Sequence, residues 1–311
     1  MKNFIILLAF LIVSTGLMAQ KADSIKKSTT TDSLFNSMNN DNNHEPVAIF
    51  ESSRLIFSQS AETIKKNNFN FLVMHRFGDI GGDEGGGKYL FGLDRIADLY
   101  IGFEYGLTDN LNIDFGRSAM PDEGGLISLE LKYAIMHQTS DDSSPFAITL
   151  IGTTGLRPYS DFDSFSDRIS YFAQVIIARK ISRRLSLQVA PSFVQNNLPI
   201  PDTLGSKNGF FSISATARLK VTKLMSIIVD YAHPFSSFRN NNGFSDPLGF
   251  GMQLVTGGHV FTINITNART ANEINYLSNT TADYARGNYR IGFTIARMFD
   301  FNHKENYQPR R

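Results

Sequence analysis

From Asn68 onward, apolar residues return at every second position in segments about ten residues long. In one of them Leu111, Ile113 and Phe115 alternate with Asn112, Asp114 and Gly116. A period of two sends successive side chains to opposite faces of a strand, so each such segment predicts a β-strand with one apolar and one mostly polar face. Twelve segments fit the template of apolar residues at i, i+2 and i+4: 68–77, 95–107, 110–118, 125–136, 146–156, 168–181, 184–195, 209–222, 224–233, 247–256, 259–267 and 288–299.

The connections between these segments are alternately short and long. Leu107 to Leu111, Ile181 to Leu185, Val221 to Leu224 and Thr256 to His259 are tight turns, and 137–145 is slightly longer. The Gly257-Gly258 pair suits a hairpin that needs positive φ. The intervening connections 78–94, 118–124, 157–167, 196–208, 234–246 and 268–287 are polar and rich in Gly, Asn, Asp, Ser and Pro. Strict alternation gathers all tight turns at one end and all long loops at the other, whereas a soluble sandwich would mix them. An even strand count also returns both chain ends to one side. The pattern therefore predicts an all-β fold: a closed, antiparallel, up-and-down transmembrane β-barrel over 68–299, with periplasmic turns and extracellular loops.

Side-chain parity gives an independent check. With the apolar set outward, strand midsections show Ile101, Ile113, Leu129, Leu150, Val175, Val189, Val229, Leu254 and Ile263. Phe115, Tyr171, Phe193, Phe211, Tyr231, Phe250 and Tyr289 gather near the long-loop end, and Tyr105, Tyr133, Phe146, Phe261 and Phe299 near the short-turn end. Two aromatic girdles around an aliphatic belt are expected where rings settle at both headgroup levels, which makes outer-membrane lipid the first partner. Pro191 lies inside the seventh segment, where it has no N–H to donate, and predicts a bulge or a local break.

Composition narrows the picture. The chain has 311 residues, 42% of them hydrophobic, and a formal charge of +1. It is too apolar for disorder, and its near-zero charge offers no reason to propose nucleic acid as a partner. Lys2, the apolar run Phe4 to Val13 and the small residues up to Ala19 read as a secretory signal peptide over 1–19, too short for a membrane span. Residues 20–67 read as a flexible exported leader whose last part, with Ala48, Phe50, Leu55, Ile56, Phe57 and Ile64, either enters the lumen as a plug or stays in the periplasm. Residues 300–311 read as a periplasmic tail. There is no cysteine, so the signal junction cannot carry a lipid and neither a disulfide nor a thiolate metal site can form.

The opposite parity lines the lumen. Asp98, Glu104, Asp114, Glu130 and Asp230 point inward, as do Lys132, Lys180, Arg218, Lys220 and Arg290. One reading is a constriction in which Asp114 and Glu130 face Arg218, giving a transverse field that selects small polar solutes. The other is that these charges pair and, with inward Leu72, Phe172, Ile176 and Ile228, fill the interior, since twelve strands lie between a filled barrel and a water channel.

Catalytic chemistry has one candidate. His233 stands at the outer end of the ninth segment near Asp230, Ser236 and Ser237, the minimum for a rim-located hydrolase. The remaining histidines (44, 75, 137, 259 and 303) lack metal-ligand spacing. Gly81 to Gly87 lacks the Gly-Lys-Ser/Thr ending of a phosphate loop and the acidic spacing of a calcium loop, so no cofactor or metal is expected.

At His75-Arg76-Phe77-Gly78, then Gly92-Leu93-Asp94, Glu104-Tyr105-Gly106-Leu107-Thr108-Asp109 and Gly116-Arg117-Ser118, the chain resembles a Bacteroidetes family of outer-membrane β-barrel proteins of unknown function. The resemblance covers about Ile49 to the last strand and implies fold and localisation, with no catalytic residue to transfer. Read physically, Arg76 shares the inward parity of its strand. Arg117 falls on the outward parity at a strand end, where it can snorkel to lipid headgroups. The expected protein is an exported outer-membrane barrel, either a narrow pore or binding barrel for small polar solutes or a scaffold for another envelope protein, with the hydrolase as runner-up.

Overall fold

The computed structural model describes residues 45–82, 85–120, 125–158, 162, 164–197 and 209–301. The expected signal peptide, the first part of the leader and the end of the expected C-terminal tail lie outside the described residues.

Twelve strands form one sheet: β1 (Asn68–Asp79), β2 (Ile96–Gly106), β3 (Leu111–Ser118), β4 (Leu126–Met136), β5 (Ala147–Leu156), β6 (Ile169–Lys180), β7 (Leu185–Asn196), β8 (Phe210–Lys220), β9 (Met225–Phe235), β10 (Leu248–Thr256), β11 (His259–Thr266) and β12 (Arg290–Asp300). Each pairs antiparallel with its neighbour in sequence, and β1 pairs with β12 to close the barrel. No strand end lies more than two residues from the position that the alternation predicts. Closure satisfies every edge, which a sheet surrounded by lipid requires.

The faces are inverted relative to a soluble protein. On β4, Leu129, Leu131 and Tyr133 are exposed at 52%, 52% and 48%, while Ser128, Glu130 and Lys132 between them are buried. Gly257 and Gly258 both take positive φ, 42° and 90°, in the two-residue turn between β10 and β11, as the primed hairpin turns require. At Pro191 the outcome is a local break without a bulge. Pro191 pairs with Ile213 on β8, while the β6 ladder passes from Gln174↔Ser192 to Ile177↔Val189 without a change of register. The missing N–H interrupts one ladder and leaves the strand straight enough to keep its phase.

Two segments fold into this cylinder. Residues 45–67 enter beside the 137–145 turn, where Val47 N donates to Gln138 O at 2.8 Å. They then double back as a hairpin in which Ser60 N donates to Ser53 O at 2.8 Å and Leu55 N to Ser58 O at 2.9 Å. Its apolar residues Ile49, Phe50, Leu55, Ile56 and Phe57 are buried. The chain leaves past the β2–β3 turn, with Lys66 N donating to Asp109 Oδ1 at 3.0 Å, and becomes β1.

From the long-loop end, the β11–β12 connection brings in α2 (Glu273–Ser278), all six residues of which are buried. Asn272 caps it by accepting from Ile274 N at 3.0 Å, the usual role of an Asn at a helix start. A second short helix, α1 (Ser237–Asn241), sits in the β9–β10 connection. Hairpin and α2 meet at mid-barrel, where the Phe57 and Tyr276 ring centroids are 4.8 Å apart. With inward Phe172, Ile176 and Ile228 they make one apolar cluster inside the barrel, so hydrophobic burial drives the filling of the lumen just as lipid contact favours the apolar exterior.

Candidate functional site

The inward charges come from the pleat, but their partners come from the two inserted segments. Neighbouring register places Glu104 opposite Asp114 and Asp114 opposite Glu130, making a row of three carboxylates across β2, β3 and β4. Glu104 Oε2 accepts from Ser53 Oγ of the hairpin at 2.6 Å and from Asn70 Nδ2 at 2.7 Å. Glu130 Oε1 accepts from Gln59 Nε2 at 2.5 Å and Oε2 from Thr153 Oγ1 at 2.8 Å. Asp114 is buried with neither carboxylate oxygen hydrogen-bonded. Lys132 reaches the hairpin only through long bonds, 3.4 Å each, to Ser53 O and Gln59 Oε1.

The hairpin's single arginine points at this row. Arg54 Nη1 donates to Glu273 Oε1 on α2 at 2.6 Å, and Nη2 lies 3.4 Å from the Tyr100 hydroxyl and 3.9 Å from Glu130 Oε2. Its guanidinium stands 5.1 Å from the Tyr100 ring centroid, within the range of a cation–π contact. Burial pushes the Glu273 carboxyl up to about 7, only partly offset by Arg54. Burial likewise raises the Glu62 carboxyl, which accepts from Ile49 N and Phe50 N at 2.8 Å and 3.0 Å and closes the base of the hairpin.

Across the lumen, Asp230 holds the hairpin tip. It accepts from Ser58 N at 2.9 Å, Ser58 Oγ at 2.7 Å, Phe57 N at 3.2 Å and Thr216 Oγ1 at 2.8 Å. Arg76 donates to Ile56 O and Asn264 Oδ1, each at 2.5 Å. Asp98 instead serves the other insertion, accepting from Ala271 N at 3.0 Å and Ser118 Oγ at 2.7 Å.

The transverse pairing expected between Arg218 and the Asp114–Glu130 row is not an open one, because the hairpin stands between them. Arg218 Nη2 donates to Glu51 Oε1 at 2.8 Å, and Lys220 Nζ lies 3.2 Å from the same oxygen. Burial acts to raise the Glu51 carboxyl, but these two cations outweigh it and hold the group below its ordinary value. Lys180 donates to Ala48 O at 3.1 Å, and Arg290 pairs with Asp79 at 2.7 Å.

The motif residues divide by face. His75 and Phe77 face outward, and the His75 ring stacks on Phe293 at 5.3 Å. Gly78 N donates to Arg95 O at 3.0 Å, and Asp94 is exposed in the loop beside it. Tyr105 faces outward, and Arg117 sits half-buried on the outward parity of β3. Gly106 has a packing role: a Cβ there would lie 2.2 Å from Lys65 O, so only glycine lets the hairpin's exit pass.

The hydrolase cluster does not assemble. Asp230 points into the lumen while His233 lies three residues on, on the outward parity of β9. The carboxylate that His233 meets is Asp246, at 2.8 Å from Nδ1, which also accepts from the Tyr231 hydroxyl at 2.6 Å.

Parity reasoning missed Glu51, Arg54, Ser58, Gln59, Tyr100 and Glu273. The apolar run Leu55-Ile56-Phe57 already pointed to a buried leader, and Ile274, Tyr276 and Leu277 around Asn275 give the same signal in the last long connection, since apolar residues clustered in loops imply a place to bury them.

With this geometry in view, comparison with known proteins gives a family. Residues 50–299 match the model of a membrane bound beta barrel domain family, and the chain belongs to it. Similar solved structures include a NanC porin (9% identity, TM-score 0.46, covering 74% of this chain and 98% of that one). They also include a KdgM porin (7%, 0.43, 76% and 99%) and the Acinetobacter baumannii outer membrane protein Omp33 (9%, 0.42, 75% and 99%). No curated relative matches the chain.

Proposed function

We propose that this chain is exported to the outer membrane and forms a gated passage for small polar solutes, closed by its own residues 45–67. The observation that carries the reading is the chemistry of the hold. The hairpin is fastened by Asp230 to Ser58, Arg218 to Glu51 and Glu273 to Arg54, in addition to its apolar packing. Buried ion pairs gain little over apolar packing because both charges lose water. When the hairpin leaves, that water returns, and the wall is left with acids on β2 to β4 and bases on β4 and β8, a lining suited to polar solutes.

The test is conductance in planar bilayers. The full chain is expected to be closed most of the time with brief openings, and Asp230→Ala to raise the open fraction. In those openings Arg218→Glu should shift ion selectivity toward cations. A bilayer that stays silent with both proteins overturns the passage and favours an envelope scaffold.

A further inference from the structure

We infer that the lumen contains a binding site for organic cations bearing guanidinium or primary amine groups, and that Arg54 fills this site in cis while the barrel is closed. The inference names a solute class for the passage proposed above, and it rests on that reading only for its effect on opening.

Three observations lead to it. First, the surroundings of Arg54 are those of a cation subsite: a carboxylate at 2.6 Å, a second at 3.9 Å, and an aromatic face at 5.1 Å. Carboxylate and ring together recognise a guanidinium or ammonium group by charge-assisted hydrogen bonds and the ring quadrupole.

Second, the site holds more acceptors than its occupant satisfies. Both oxygens of Asp114 and Oε2 of Glu273 are buried and without a hydrogen-bond donor, in side chains 5% and 0% exposed. Arg54 in turn makes a single short bond and leaves its Nε unpartnered. A fixed structural pair is expected to be bidentate and saturated, because each buried unsatisfied group is destabilising.

Third, acidic side chains outnumber basic ones. Arg54 interacts with Glu104, Glu130 and Glu273, and Lys132 with Glu104, Asp114 and Glu130, so a ligand carrying several N–H donors matches the site better than the single guanidinium of the hairpin. Among the described residues no three carboxylates converge as metal ligands do. Acceptors spread along a wall suit an extended cation with several N–H donors.

A free cation of this kind competes with Arg54, and the binding that displaces Arg54 loosens the hairpin. This is a population shift driven by a ligand that favours the open state.

The probe is agmatine, which carries a guanidinium and an amine, with glutarate as a control of opposite charge. The full-length protein is titrated in detergent at pH 8 by calorimetry, and foldedness of each variant is checked by the gel shift between unheated and boiled samples. Saturable agmatine binding is expected, weakened about tenfold or more by Asp114→Asn or Glu273→Gln. Arg54→Ala, which leaves the wall intact, should tighten it about tenfold by removing the cis competitor. A single cysteine introduced by Ser58→Cys should react faster with a thiol reagent when agmatine is added. Absence of binding, or binding that Arg54→Ala does not tighten, overturns the site, and the second criterion holds even if the carboxylate variants fail to fold. Carboxylate-dependent binding with a silent bilayer keeps the site and overturns the passage. Conductance that agmatine does not alter overturns the effect of the cation on opening and leaves the passage standing.

Discussion

Ser58 and Asp230 are joined twice although 172 positions separate them: the Ser58 hydroxyl donates to one carboxylate oxygen at 2.7 Å and its backbone N–H to the other at 2.9 Å. Phe57 N adds a third hairpin donor. One buried carboxylate on β9 thus gathers the turn at the tip of a segment that precedes the whole barrel.

Removing that carboxylate should free the tip. In the background that carries the Ser58→Cys reporter, Asp230→Ala leaves the two backbone donors Phe57 N and Ser58 N without an acceptor, at about 1–3 kcal/mol for each buried group left unpaired. A loss of about 3 kcal/mol corresponds to a hundredfold or greater rise in the labelling rate of a cysteine placed at Ser58. The chain has no native cysteine to interfere. An unchanged labelling rate would show that the tip is held by its apolar contacts alone.

Glycines on the inner face should control the fit of the hairpin. A Cβ at position 106 would meet Lys65 O at 2.2 Å, and one at position 249 would meet Ile56 Cγ2 at 2.8 Å. Gly106→Ala confronts backbone and should destabilise the seated hairpin by about 1–3 kcal/mol, as overpacking does. Gly249→Ala confronts a side chain and should cost less. Both are measured by thiol labelling at Ser58→Cys, and equal effects would contradict the assignment of Lys65 to the exit path.

The hold should depend on pH in opposite senses at its two ends. The Glu273 carboxyl is raised, to about 7, so its stabilising contribution is complete below the ordinary glutamate range near 4.5 and is lost as pH rises through about 7. The shift corresponds to no more than about 3 kcal/mol. The Glu51 carboxyl is held below its ordinary value by Arg218 and Lys220 against burial, so its contribution is present above that value and fades as pH falls. Thiol labelling at Ser58→Cys, taken relative to a free thiol at the same pH because the thiolate is the reactive form, should therefore be slowest in mildly acidic buffer and quicken toward pH 8. Glu273→Gln should flatten the alkaline limb only.

The outer belt should be sensitive to charge in proportion to depth. Leu129 lies on the outward face of β4 and is 52% exposed. Leu129→Arg is expected to destabilise the barrel in lipid by about 2–4 kcal/mol if the residue sits near the midplane. Urea unfolding in vesicles measures it. A neutral outcome would move Leu129 to the interface.

How much of this was readable beforehand follows from the range of each interaction. Alternation at Leu129, Glu130 and Leu131 records which side of a pleat each residue takes, and that is settled by neighbours two positions apart. Strand count, register of the tight turns and the inward parity of Asp98, Glu104, Asp114, Glu130, Arg218 and Asp230 were all contained in that local pattern. The same parity, read alone, left open whether Arg218 faces the acids across a passage or pairs within a filled interior. His233 was grouped with Asp230 on sequence proximity, although an odd spacing of three sends the two to opposite faces of one strand.

The sequence by itself determined the wall, its two faces and the end at which the turns lie, because a period of two is enforced by backbone geometry within each strand. Only the tertiary structure decided what stands inside. Glu51 finds Arg218, Arg54 finds Glu273 and Ser58 finds Asp230 across separations of 167, 219 and 172 residues. No periodicity marks such partners. They are chosen by closure of the barrel, which turns polar inner faces toward one another and leaves a volume that apolar runs from the leader and the last loop are driven to fill.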